Sequence, residues 1–266
     1  MNSILQAIRR YSTYLAWLAG SRYSRANGWF ITRGKARIAL ENVDDFLTTY
    51  DVYASGHYNR LELAVLPGSV VWDIGANIGV ASLIFAQNSN VSHIYAYEPM
   101  PHTFACAMRS LRANPALSAK ITLENLGVGS GEGDLQVSYT RKAKAAIGVS
   151  EIPPRLKMLY RIKPEDMETI TIRLADAAQV LQSIRARHPG APILLKLDAE
   201  GAEYGIIDRL AETGAIQELA AAAIEWHLKP GEEYLTSKLR TAGFQTQAKV
   251  LEPGSIGMID AWKLQR

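Results

Sequence analysis

The sequence predicts a doubly wound α/β fold, an open and mostly parallel sheet with helices on both faces. Three observations carry that expectation. Apolar runs of strand length recur at residues 70–74, 93–97, 121–126, 193–198 and 220–226. Helical patterns separate several of them, at 80–87, 103–113 and 202–213, and such alternation implies parallel crossovers. The first run ends in an acid and turns through two glycines: Val70-Val71-Trp72-Asp73-Ile74-Gly75-Ala76-Asn77-Ile78-Gly79. A strand, a tight loop and a helix start bring backbone close to a nucleotide-like ligand.

The chain has 266 residues, of which 48% are hydrophobic and 21% charged, enough for one large α/β domain with a full core and too apolar for wholesale disorder. Residues 67–266 make up that domain, and residues 1–66 a helical, basic N-terminal segment. Within the segment, Ile4, Ile8, Tyr11, Leu15 and Leu18 recur at helical spacing, and no acid precedes Glu41. Such a helix fits docking on the domain, peripheral adhesion to an anionic membrane, or a signal peptide, the last weakened by Ser12-Thr13-Tyr14 and by the lack of a clear cleavage pattern. A helical pattern over 46–66 leads to the turn Pro67-Gly68. The single cysteine, Cys106, excludes an internal disulfide, fits a reducing, cytoplasmic setting, and reads as a small buried hydrophobe. No apolar run is long enough to span a bilayer.

An insertion over about 134–172 breaks the alternation. It begins with a strand-like run at 135–139, then continues irregularly with Arg141, Lys142, Lys144, Arg155, Lys157, Arg161 and Lys163. Long loops in compact domains are commonly lids, and this charge suits an anionic acceptor, against the alternative of a solvated surface loop. Two closing strands are expected near Phe244 and over 257–262.

The glycine loop departs from the dinucleotide pattern, since Asn77 takes the second glycine position and Gly79 falls one residue early. It also lacks the Gly-Lys-Ser/Thr of a triphosphate loop. A ligand such as S-adenosylmethionine fits better, with Asp73 facing its ammonium directly or through water and loop amides approaching its carboxylate. Glu98, ending the next strand before Pro99, is placed to accept hydrogen bonds from ribose hydroxyls. A second dense motif, Lys196-Leu197-Asp198-Ala199-Glu200-Gly201-Ala202-Glu203, lies at a strand end across the switch point. The run Ile224-Glu225-Trp226-His227 supplies a third strand end. Asp198, Glu200, Glu225 and His227 thereby converge, a set able to deprotonate a hydroxyl with His227 as base or to hold a divalent metal. Glu203 fits a helix first turn, and Lys196 has the parity to pair with a nearby carboxylate.

The ordered set VVWDIGANIGVASL, YAYEPMP, LENLGVGSGEG, KLDAEGAEYGII and IEWH resembles the FkbM family of S-adenosylmethionine-dependent methyltransferases, from about Val70 to about His227. The resemblance implies a Rossmann-like class I methyltransferase fold and methyl transfer, usually to a hydroxyl of a sugar or related metabolite. It implies that Asp73, Gly75, Ala76, Asn77 and Gly79 form the methionine-end loop, and that Glu98 and Pro99 lie at the ribose. Asn125 and Gly127 would lie near the adenine, and Asp198 closest to the methylsulfonium. N-methylation of an amino sugar and a catalytically silent, cofactor-binding partner subunit stay open as alternatives, as does a homo-oligomer. Asp176, where the family pattern is altered to Leu-Ala-Asp, reads as a helix cap. No nucleic-acid partner is expected, because the positive charge is confined to two places and no recognition module accompanies it.

Overall fold

The computed structural model describes residues 22–24, 28–32, 36–54, 56–144, 157–158, 161–228, 230–252 and 256–263. The expected helix at 4–18 and residues 145–156 of the insertion lie outside the described residues. Thirteen strands are described: β1 (Arg22–Ser24), β2 (Trp29–Ile31), β3 (Arg37–Ala39), β4 (Ser69–Ile74), β5 (Val91–Tyr97), β6 (Ile121–Glu124), β7 (Gly127–Gly129), β8 (Gly133–Tyr139), β9 (Glu168–Asp176), β10 (Ile193–Leu197), β11 (Leu219–His227), β12 (Gln245–Glu252) and β13 (Ile256–Trp262). Seven of them form the main sheet in the order β12-β13-β11-β10-β4-β5-β6.

From β11 to β6 the pairing is parallel, and β13 and β12 close the edge antiparallel. Every residue of β4 and β10 is buried, as expected for strands covered by helices on both faces. Val70, Trp72, Leu195 and Ile224 face one layer of the core, while Val71, Leu194, Ala221 and Ala223 face the other. The chain leaves β4 toward β5 and β6, then returns to place β10 on the opposite side. The strand order therefore reverses between β4 and β10, and their carboxyl ends open the crevice where doubly wound folds bind ligands.

The expected helix at 46–66 is two helices, Val43–Ala54 and Asn59–Leu63, because the chain turns at Gly56 with a positive φ of 70°. The described N-terminal residues pack on the domain: Phe30, Ile38, Leu40 and Phe46 join Ile78, Leu83, Cys106 and Leu111 in one core. The insertion is also more regular than expected. Its ends are strands, β8 pairing antiparallel with β9, and β7 joins them in a three-stranded sheet. Asp176 caps the Ala177–Arg187 helix, its Oδ1 accepting from the amides of Ala178 and Gln179.

Three of the insertion's described lysines, Lys142, Lys144 and Lys163, are paired with carboxylates. Lys144 is fully buried, with Nζ 3.0 Å from both Asp45 and Glu41. Lys142 pairs with Asp166 at 2.7 Å and Lys163 with Glu165 at 3.3 Å; Arg141 lies 3.9 Å from Glu168 in an exposed pair. Glu41 also pairs with His102 and Arg109, so the cluster joins three distant segments. Burial alone would raise the Glu41 carboxyl, but Lys144 and the other donors hold it down at about 2. Removing the Lys144 charge would strand Asp45 in the core. Lys144→Met is expected to cost about 3–5 kcal/mol, read as a lower urea midpoint, whereas Lys163→Met should cost less than about 1 kcal/mol.

Candidate active site

A cavity of about 410 Å³ opens at the carboxyl ends of β4, β5 and β10. Gly75, Ala76, Asn77, Glu98, Pro99 and Gly127 line one end, with Val128, Leu135, Val137, Ile172 and Leu174 as an apolar wall supplied largely by the insertion sheet. His57, Tyr58, Asp198, Glu200 and Glu225 line the other end.

The turn after β4 is dictated by crowding. A Cβ on Gly75 would sit 1.7 Å from the Asp198 carbonyl oxygen, and the residue has a φ of 77°, so only glycine fits. The Gly75 and Ala76 amides both donate to the Tyr97 carbonyl, fastening the loop to the end of β5. Asn77 takes a positive φ of 50° and donates its amide to Glu98 Oε2 at 2.8 Å. Gly79 starts the Val80–Gln87 helix and packs near Leu111, behind the cavity and not on it.

Asp73 is also behind the cavity, unlike its expected place at the ligand ammonium. It is fully buried, accepts from Ser82 Oγ, and lies 3.3 Å from Lys196 Nζ. Lys196 in turn donates to the carbonyls of Ile74 and Gly75 and lies 3.6 Å from Asp198. The Asp73 charge thus reaches the loop only through Lys196.

Glu98 is 5% exposed, and its carboxylate accepts from the Asn77 and Met100 amides. Burial pushes the Glu98 carboxyl up to about 7, against the pull of those amides and Lys196 and with a further push from Asp198. Asn125 does not reach the cavity. Its side chain donates to the carbonyls of Glu98 and Pro99, shaping that turn from a neighbouring groove. Gly127 is on the cavity wall, where a Cβ would meet Leu174 at 2.5 Å.

At the far end, Glu203 is fully buried and accepts from the Ala199 and Gly201 amides. It also holds His227 Nδ1 at 3.0 Å. His227 Nε2 then lies 3.6 Å from Glu200 and 3.8 Å from Glu225. Burial would lower the imidazole, but Glu203, Glu200 and Asp198 drive it up to about 10, so it keeps its proton at neutral pH. It is absent from the cavity wall as well. Those two facts oppose the expectation that His227 is a neutral base. Burial, with Asp198 adding to it, pushes Glu225 well up, and Glu200 rises to about 8 mainly through burial.

His57 was not among the residues singled out from sequence. Its Nε2 lies 3.7 Å from Glu225, and it forms a hydrogen bond with the backbone of Asp51. Burial lowers its pKa, with Asp51 and Asp198 opposing, so the imidazole is neutral at pH 7. Beside it, Tyr58 donates to Asp198 Oδ2 at 3.4 Å. The one signal available in the sequence was Gly56, which interrupts a helical pattern immediately before this His-Tyr pair.

The methyltransferase FkbM domain model matches residues 73–245. This chain belongs to the FkbM methyltransferase family. The match takes in the Gly75 turn, Glu98, Asp198, Glu200, Glu225 and His227, while His57 and Tyr58 precede it. Among similar proteins, the chain is 24% identical to the hexuronic acid methyltransferase AglP of Haloferax volcanii over 80% of its length and 79% of that protein. It is 29% identical to the methyltransferase sdnD of Sordaria araneosa over 57% of this chain and 64% of that one. It is 25% identical to the 31-O-demethyl-FK506 methyltransferase FkbM of Streptomyces tacrolimicus over 65% of this chain and 71% of that one. Among the described residues, no helix is long and apolar enough to cross a membrane.

Glu98 ties the stability of this FkbM-family site to pH. Its carboxyl binds a proton more tightly when folded, at about 7, than at the ordinary 4.5. Its stabilising contribution is therefore full below about 4.5 and is lost as pH rises through about 7. Relative to wild type, Glu98→Gln should gain on the order of 2 kcal/mol between pH 5 and pH 8, read from urea denaturation at both values.

Proposed function

We propose that this chain transfers a methyl group from S-adenosylmethionine to a hydroxyl oxygen of a sugar, glycan or secondary metabolite. The observation that carries the reading is one cavity joining the glycine loop and Glu98 to a wall with a neutral imidazole and the acids Asp198, Glu200 and Glu225. Family membership supports methyl transfer. Two relatives are named for a hexuronic acid and for 31-O-demethyl-FK506; the first name supports a sugar acceptor and the second an oxygen one.

In this reading the Ala76–Asn77 backbone receives the methionine end of the cofactor, and Glu98 accepts hydrogen bonds from the ribose. Gly127 and Leu174 border the adenine. The cofactor supplies the activated methyl, and the protein aligns the acceptor and removes its proton. His57 takes that proton. The acceptor oxygen gives its electron pair to the methyl carbon, and the carbon–sulfur bond breaks with its pair going to sulfur. Asp51 and Asp198, whose charges act on the ring, stabilise the imidazolium that forms. The acid side chains Asp51, Asp198, Glu200 and Glu225 on the cavity wall offer hydrogen-bond partners to the hydroxyls of such an acceptor.

Calorimetry with S-adenosylhomocysteine tests the cofactor, and no binding at millimolar concentration ends the proposal. Transfer of labelled methyl to a panel of methyl glycosides, hexuronates and amino sugars tests the acceptor. His57→Ala should lower turnover on a hydroxyl acceptor by about 10²-fold while leaving S-adenosylhomocysteine affinity within about two-fold, and added imidazole should restore part of the rate. Full turnover in His57→Ala, with methyl found on nitrogen, would favour the amino-sugar reading, since a free amine needs no such base.

A further inference from the structure

We propose that Asp198, Glu200 and His227 form a binding site for one divalent cation, Mn²⁺ or Mg²⁺, at the acceptor end of the cavity. One donor atom from each residue lies within 4.8 Å of the other two. The donors come from the loop after β10 and from the last residue of β11, so the main sheet itself holds them together.

The independent observation is the state of the His227 ring. The residue is 94% buried by its 6% exposure, and Nδ1 is held by Glu203 at 3.0 Å. Glu203 is itself immobilised by two backbone amides, which fixes the ring's orientation. Nε2 is left aimed between Glu200 and Glu225 at 3.6 and 3.8 Å, beyond hydrogen-bond distance from either. Imidazoles that ligate metals are held in this manner, one nitrogen on a carboxylate and the other turned to the ion, which here must displace the protons that His227 Nε2 and Glu200 otherwise hold. Two carboxylate oxygens and one imidazole nitrogen, without thiolate, suit a hard cation, and the imidazole favours Mn²⁺ over Mg²⁺. Asp198 and Glu200 also line the cavity, so an ion there keeps open positions toward it.

Two alternatives are answered by the same geometry. Lys196 touches only the Asp198 edge of the place, at 3.6 Å, because its ammonium is held more closely by Asp73 and by the carbonyls of Ile74 and Gly75. A second cluster, Glu41, His102 and Cys106, has comparable donor spacing. There Lys144 Nζ already lies 3.0 Å from Glu41 and 3.5 Å from Cys106 Sγ, with Arg109 also on Glu41. That cluster has its cation. The role assigned to the ion, holding and polarising the acceptor hydroxyl beside His57, rests on the methyl-transfer reading above; the binding site does not.

The test uses the full chain freed of metal with EDTA and titrated with Mn²⁺ alone, following the free-ion signal by electron paramagnetic resonance. One Mn²⁺ per chain is expected, with Mg²⁺ competing. Glu200→Gln should weaken binding by at least about ten-fold, Glu203→Gln by about 10- to 100-fold through loss of the ring's orientation, and Glu41→Gln should leave it unchanged. The circular dichroism spectrum and melting temperature of each variant show that it is folded. Absence of stoichiometric Mn²⁺ binding to wild type, or wild-type binding in both Glu200→Gln and Glu203→Gln, overturns the site. Mn²⁺ binding that follows this pattern without any S-adenosylhomocysteine binding would keep the site and refute the methyl-transfer reading instead.

Discussion

Lys196 is the contact on which the rest of the site depends. Its ammonium sits between the ends of the two central strands, bridging Asp73 on β4 to Asp198 beyond β10 while binding the carbonyls of Ile74 and Gly75. Parallel strands meet through backbone hydrogen bonds only as far as the sheet extends. Past Ile74 and Leu197 the chains must diverge into loops, and it is there that Lys196 and the Gly75–Asp198 backbone contact hold them together. A buried ion pair gains little net stability over apolar packing, but its directional bonds restrict the arrangements that the two loops can adopt.

The cavity that results has two ends of different chemistry. Near the glycine loop, backbone amides, one buried acid and an apolar wall from the insertion sheet suit a cofactor with a sugar and a flat base. Across from it, His57 and Tyr58 arrive from the break between two N-terminal helices and face acids from the ends of β10 and β11. The insertion and the N-terminal helix are fastened to each other through Lys144, Asp45 and Glu41, so the parts covering the cavity share one buried anchor.

Much of this was legible in the sequence. The central strands stand within two residues of their expected bounds, because strands buried on both faces are continuous apolar runs. The helix Ala177–Arg187 was signalled only by its cap Asp176, since two of its buried anchors are the alanines Ala177 and Ala178, which leave a faint apolar stripe. Spacing alone also misplaced Asp73. It gave no sign that Lys196 on the neighbouring strand would draw that carboxylate away from the crevice. For His227 the residue type suggested a base, but the proton it holds is set by carboxylates that converge only after folding. His57 carried no periodic signal, and its partner Glu225 is far away in the chain.

The boundary of the family match crosses the cavity wall. The matched segment begins at Asp73 and carries the glycine loop and the acid cluster, whereas Thr48, Asp51, His57 and Tyr58 on the cavity wall all come before it. The enclosure is therefore walled jointly by the matched segment and by residues ahead of it, so a change in the leading segment alters the space beside Asp198, Glu200 and Glu225 without touching the glycine loop.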